Sequence, residues 1–308
     1  MRNKTLKLTA AALLSACSFA AMGAGAVLDT GSIKMGVFDN AGLGFSSVGF
    51  DSPAAGGDAI IRGCLCEGWG ASAGGSSGYV YGGSGSGLTS ALLTTTTASG
   101  ALLSASSVVV MANGLEVTHT YSYAGGGKLF RIDVSMKNTT AGTLTDVRYG
   151  RTLDWDVDPG YFSNNYTTVY GGTPTGPGGK VLHTSTNPFA VPDPMVFRSQ
   201  EADTNVVDTV GDKGGYFVFG FGPLLAGEAA SFTTIIGADE TVGGLLGLLA
   251  GASVEAYSYT TDSAKRHAFG YGFVGLGLPP SLGVPEPGTL ALLGMGLLAG
   301  AAMRRRKQ

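Results

Sequence analysis

Charge is what this chain has least of. Asp, Glu, Lys and Arg make up 13% of its 308 residues, about half the usual quarter. The few cations are also concentrated at the ends, with Arg2, Lys4 and Lys7 at one and Arg304, Arg305, Arg306 and Lys307 at the other. Residues 27–283 keep 12 basic against 21 acidic side chains, a charge of −9. An acidic body with scattered cations offers no electrostatic footprint for nucleic acid, which excludes it as a partner. Histidine is scarce as well. Only His119, His183 and His267 are present, isolated in sequence, which removes most sites built on His triads or His-rich metal clusters. Helical periodicity is nearly absent: Thr241–Ala250, with Leu245, Leu246, Leu248 and Leu249, is the one helical stretch, weakened by Gly243, Gly244 and Gly247. No strand–helix–strand alternation follows, so a parallel α/β sheet is not expected.

What is abundant is glycine, at 52 residues, set between alternating runs. Leu115, Val117, His119, Tyr121 and Tyr123 alternate with polar residues, and Phe130, Ile132, Val134 and Met136 do the same after Ala124–Gly127. Two period-two runs joined by a Gly-rich turn predict a hairpin. Asn138–Gly142 is the next turn and Leu144–Val157 the next strand region. Further strands are expected at Ile33–Phe38, Val108–Met111, Tyr216–Phe221, Ala230–Gly237, Val254–Tyr259 and Phe269–Val274. A meander of this kind needs a second sheet over its apolar face, so the expected fold is all-β, an antiparallel β-sandwich over residues 27–283. Residues 70–100, rich in Gly, Ser and Thr, read either as a flexible linker or as small-residue strands with glycine bends. Residues 171–194, with Pro174, Pro177, Pro188, Pro192 and Pro194, read as a long irregular loop.

Both ends read as addresses. Arg2, Lys4 and Lys7 precede an apolar or small run from Leu8 to Met22, and Ala24-Gly25-Ala26 supplies a cleavage site before Val27, so residues 1–26 read as a signal peptide. Leu14-Ser15-Ala16-Cys17 also matches a lipoprotein box, which keeps lipidation of Cys17 open, although the apolar run continues past it. At the other end, Val284-Pro285-Glu286-Pro287-Gly288-Thr289 precedes an uncharged run from Leu290 to Met303, and the basic cluster follows at once. The two prolines hold the segment extended, the form that a processing enzyme can thread. Residues 289–303 span about 22 Å as a helix against a bilayer core of about 30 Å. That suits a transient anchor with its arginines on the cytoplasmic side, and Gly296 and Gly300 let another helix approach closely.

This tripartite tail, residues 284–308, resembles the PEP-CTERM sorting signal of Gram-negative bacteria. The resemblance implies recognition by an exosortase, a membrane-embedded thiol transpeptidase, and cleavage near Pro285–Pro287. It implies an inner-membrane-anchored precursor and export to the outer envelope or beyond, often in species that make exopolysaccharide and biofilm. The expected role of the body is then structural or adhesive, non-enzymatic, with exopolysaccharide as a partner.

Two groups in the body carry candidate chemistry. Cys64-Leu65-Cys66 is its only cysteine pair, and an oxidising compartment favours a bridge. In an extended strand the two Cα atoms would stand roughly 6.6–6.8 Å apart, near the limit for bonding. Asp154, Asp156 and Asp158, in Asp154-Trp155-Asp156-Val157-Asp158-Pro159-Gly160, would share one face of a strand. Three like charges there need a cation: Ca²⁺ suits the carboxylates, and Arg148 and Arg151 are the alternative source of counter-charge. The match to an EF-hand loop is poor, because Pro159 stands where Gly is needed and Asn165 where Glu is needed. A glycosidase pair drawn from the same aspartates is a further reading, with Trp155, Tyr161, Phe162, Tyr166 and Tyr170 as a sugar platform. A charged strand edge that discourages pairing is another. Gly270–Gly275 fits a GxGxxG pattern without the helix that must follow it, and Gly178-Gly179-Lys180-Val181 lacks the outer residues of a phosphate loop.

Overall fold

The computed structural model describes residues 25–98, 101–171, 180–197 and 205–278, together with Leu282. The leader as far as residue 24, with Cys17, and the sorting segment 284–308 with its expected membrane helix 289–303 lie outside the described residues. So do Pro174, Pro177, Gly178 and Gly179.

In chain order the strands are β1 (Gly25–Asp29), β2 (Lys34–Phe38), β3 (Phe50–Ser52), β4 (Gly57–Asp58), β5 (Glu67–Ala73), β6 (Ser76–Tyr81) and β7 (Ser84–Ser86). They continue with β8 (Leu88–Ala98), β9 (Ala101–Met111), β10 (Leu115–Ala124), β11 (Leu129–Asn138), β12 (Leu144–Asp154), β13 (Tyr166–Tyr170) and β14 (Val181–Ser185). Last come β15 (Val206–Val210), β16 (Gly214–Leu224), β17 (Ala229–Asp239), the helix α1 (Val242–Gly251), β18 (Ala256–Thr261) and β19 (Ala268–Val274). They form a nine-stranded sheet in the order β15-β13-β18-β19-β17-β11-β10-β9-β8, a six-stranded sheet β14-β16-β12-β5-β6-β7 and a four-stranded sheet β1-β2-β3-β4. The pairings between these strands are antiparallel. The all-β antiparallel fold expected from the alternation is therefore the fold observed.

The two larger sheets face each other across aromatic rings. Trp69 of β5 meets His119 of β10 at 4.4 Å, Tyr149 of β12 meets Phe232 of β17 at 4.8 Å, and Phe219 of β16 meets Phe273 of β19 at 4.6 Å. The small sheet joins the same core through Phe50 of β3, against Phe130 and Phe269. The expected hairpin is β10–β11, with Tyr121 opposite Ile132. Helix α1 starts one residue after its expected first position, because the Thr241 hydroxyl accepts the Gly244 amide at 3.0 Å and caps it. Its Leu245 and Leu249 pack on the outer face of the nine-stranded sheet with Ile235, Tyr257 and Tyr259.

Of the two readings of residues 70–100, the structure takes the strands. Gly74-Gly75 joins β5 to β6 and Gly82-Gly83 joins β6 to β7, all four at positive φ. Two residues at positive φ are what a two-residue hairpin turn requires. Strand β5 is buried along its whole length, since the segment 186–197 covers its outer side. The Pro192 carbonyl seats over Gly70 and Gly150, which face each other in the β5–β12 ladder. That segment starts within the expected irregular region 171–194, which also holds β14, and runs three residues past it. At the N-terminal end, β1 begins at Gly25. A cut after Ala26 would remove the pairings of Gly25 with Phe38 and of Ala26 with Val37.

Candidate functional site

Strand β12 ends at Asp154 and not, as alternation suggests, near Val157. Beyond it the chain turns inward on hydrogen bonds to the segment between β4 and β5. The Asp154 amide donates to the Cys66 carbonyl at 3.1 Å and the Asp156 amide to the Ala59 carbonyl at 2.9 Å. Residues 154–157 are consequently all buried, whereas period-two exposure would have left the carboxylates outside. The loop after them is tied down by Asn165, itself fully buried, whose side-chain amide donates to the Trp155 carbonyl at 2.6 Å and to that of Tyr161. The Asn165 carbonyl in turn accepts the Gly211 amide at 3.1 Å. This brings in the turn between β15 and β16, and with it Asp212.

Three carboxylates meet where these loops converge. One oxygen each of Asp154, Asp156 and Asp212 lies within 4.8 Å of the others. Asp158 is not in the group. It follows the turn inward at Asp156, and its backbone carbonyl lies 3.3 Å from His267 Nδ1. Asp156 is 0% and Asp154 2% exposed. Oδ1 of Asp154, both oxygens of Asp156 and Oδ1 of Asp212 are buried without a hydrogen-bond partner. Burial pushes the Asp154 carboxyl up to about 7, the charge of Asp212 adding to the rise and the Trp155 amide opposing it. Burial, then the charges of Asp154 and Asp212, push Asp156 up to about 8 against the pull of Arg62. Asp212 is raised by burial, with Lys213 opposing. Like charges this close in a low dielectric cannot all ionise without a cation or shared protons.

The arginines named as alternative counter-charges are engaged elsewhere. Arg148 donates to Asp146 at 2.8 Å and to the Pro194 carbonyl at 3.1 Å. Arg151 pairs with Glu67, both fully buried. Among the described residues none of the three aspartates joins an ion pair.

Cys64 and Cys66 are disulfide-bonded beside this cluster, with Cα atoms 5.2 Å apart, closer than an extended strand allows because the chain bends there. Cys64 Sγ lies 3.6 Å from Asp154 Oδ2. A disulfide sulfur carries no proton, so this contact supplies the carboxylate with no donor. On its outer side Asp212 borders a cavity of about 390 Å³, lined also by Thr186, Asn187, Phe189, Thr209 and Lys213.

The aromatic residues near the aspartates do not assemble a platform. Trp155 is a core residue, donating to the Ser258 hydroxyl at 3.3 Å, and Tyr170 stacks on Tyr257 at 5.5 Å. Arg62 lies over Tyr161 at 4.9 Å and Lys265 over Tyr166 at 5.7 Å, while Phe162 stays exposed. The three histidines are apart: His119 bonds Tyr149 at 3.0 Å, and His183 packs between Phe197 and Tyr216. Gly270–Gly275 runs mostly along β19 and forms no phosphate cradle. Sequence reasoning missed Asp212, whose turn Gly211-Asp212-Lys213-Gly214 carries no local mark. It also missed the Glu67–Arg151 pair, for which the signal was an isolated Glu beside a long uncharged stretch.

Residues 283–307 match the PEP-CTERM protein-sorting motif. No curated protein matches the chain. The expected tail is therefore present, and the motif implies an exported protein with a membrane-anchored precursor processed by exosortase. No helix among the described residues is long and apolar enough to cross a membrane.

Proposed function

We propose that this chain is a non-enzymatic structural protein of the outer envelope or extracellular matrix, and that its processed body associates with other copies through strand β8. The carrying observation is that strand. β8 is an edge of the nine-stranded sheet, eleven residues long and without charge or proline. From Gly68 to Leu115 the chain has no charged residue at all. Between register shifts at Leu88/Ser90 and Thr96/Thr97 the strand pairs regularly with β9, so its outer backbone groups stand in a regular row. Leu92 on this strand is 61% exposed. Natural edges are normally blunted by charge, bulges or shortness, and the other edges here follow that rule. β15 has five residues, a register shift against β13 and Asp208 paired with Lys265. β7 and β14 have three and five residues. A body at −9 repels its copies over most of its surface, and the uncharged β8 is where two can approach without like charges meeting.

The hydrolase reading is weaker because a general acid must touch its substrate. Asp154 and Asp156 are buried, whereas Asp212 borders a cavity.

Sedimentation velocity on the processed protein over a range of concentrations tests the proposal. The wild type should associate with concentration. Leu92→Lys combined with Thr95→Lys should stay monomeric with unchanged thermal melting. A wild type that is monomeric throughout, or a lysine variant that associates equally, overturns it.

A further inference from the structure

The acidic cluster at the foot of β12 has a property that a solvated group of aspartates lacks. Asp156 is fully buried, and neither of its carboxylate oxygens has a hydrogen-bond partner. Buried polar groups are nearly always satisfied, and a carboxylate is the costliest kind to leave bare. Its nearest companions make matters worse, since they are Asp154 and Asp212, each with a bare oxygen of its own. Arg148 and Arg151 are held by Asp146 and Glu67, and Arg62, which pulls on Asp156 from over the Tyr161 ring, forms no ion pair with any of the three.

We propose that Asp154, Asp156 and Asp212 bind one hard divalent cation, Ca²⁺, which locks together the two segments that carry them. Ligand distances of about 2.3–2.6 Å allow two oxygens on opposite sides of a Ca²⁺ to stand up to roughly 5 Å apart. The three carboxylate oxygens, all within 4.8 Å of one another, fit around a single ion. The donor set is hard. Cys64 and Cys66 lie beside Asp154, but bonded to each other they offer no thiolate, so the site does not favour zinc or copper. Asp212 also borders a cavity of about 390 Å³, the side from which an ion and its water ligands would enter.

The segments joined are the end of β12 with the loop after it and the β15–β16 turn, and the loop before β5, with its disulfide, lies beside them. None belongs to β8, so this site stands or falls independently of self-association. Three carboxylates, two of them buried and one on a partly exposed turn, suit the affinity of extracellular modules, with a Kd of about 0.1–1 mM. Such a site stays empty at cytosolic Ca²⁺ levels and fills on export, so the body stiffens only after it has crossed the membrane.

The test uses the exported, processed protein, stripped with EDTA and then titrated with CaCl₂ by calorimetry and by thermal melting. One ion should bind per chain, and saturating Ca²⁺ should raise the Tm by about 5–10 °C. Asp158→Asn should keep the full response. Asp156→Asn should lose it. Because that residue is buried, Asp212→Asn on the partly exposed turn serves as the second variant, and should weaken Ca²⁺ binding at least about tenfold while melting in EDTA like the wild type. Identical melts in Ca²⁺ and EDTA with no binding heat would overturn the proposal. So would a response to ZnCl₂ with none to CaCl₂, or a response lost in Asp158→Asn and kept in Asp212→Asn.

Discussion

The centre of the sandwich contains an ion pair that makes a sharp energetic prediction. Glu67 on β5 and Arg151 on β12 are 0% exposed, two ladder positions apart, and held among Trp69, His119, Tyr121 and Tyr149. Glu67 Oε2 also accepts the Leu43 amide at 2.8 Å, while Nε and Nη1 of Arg151 have no hydrogen-bond partner. Burial pushes the Glu67 carboxyl up, against the opposing charge of Arg151 and the Leu43 amide. Removing either partner alone strands a buried charge. Glu67→Gln and Arg151→Met should each cost about 3–5 kcal/mol, or about 6–20 °C in Tm for a domain of this size. Glu67→Leu with Arg151→Met removes both charges. It leaves only the Leu43 amide bare, at about 1–3 kcal/mol, against the relief of two buried charges, about 1–4 kcal/mol. The double variant should therefore lie close to wild type. Urea unfolding followed by tryptophan fluorescence reads this well, because both tryptophans, Trp69 and Trp155, are buried. Single variants that cost under about 1 kcal/mol, or a double variant whose cost is the sum of the singles, would refute the reasoning.

Two further outcomes follow from the same core. Burial, helped by Arg151, holds the His119 imidazole well below its usual 6.5, so it stays neutral in the fold while the unfolded chain takes up a proton below about 6.5. Its contribution is complete above that pH and is lost as the pH falls below it. Relative to His119→Phe, the wild type should lose up to about 1.4 kcal/mol per pH unit between pH 6.5 and 5 in urea melts, and parallel pH profiles would contradict this. At Gly70 an added Cβ would stand 2.3 Å from the Pro192 carbonyl, so Gly70→Ala should cost about 1–3 kcal/mol and open residues 186–197 to protease. Unchanged stability and protection would show that this segment does not depend on its seat over β5.

The elements that sequence made legible are those where one face is apolar and the other polar. β10 and β11 alternate cleanly because the sheet's outer face beside them is solvated. β5 did not stand out as a strand because both its faces are covered: one carries Glu67, Trp69, Ala71 and Ala73 and the other only Gly68, Gly70 and Ser72, which leaves no apolar–polar alternation. The aspartates were read as a group that needs a counter-charge, and strand alternation was carried past the end of β12. That placed Asp158 where the fold puts Asp212, a residue 58 positions downstream of Asp154 whose approach depends on Asn165 and the β15–β16 turn. No local pattern reports a contact of that range. The sorting tail needed no tertiary information, because an enzyme reads it as a linear segment.

Delivery is the premise of the structural role, and intact mass tests it most directly. The protein would be taken from membrane and medium of its native host, with and without exosortase. The account predicts a species ending near Pro285–Pro287, found outside the inner membrane and lost without exosortase. A chain that keeps Arg304–Gln308 in both strains would contradict it.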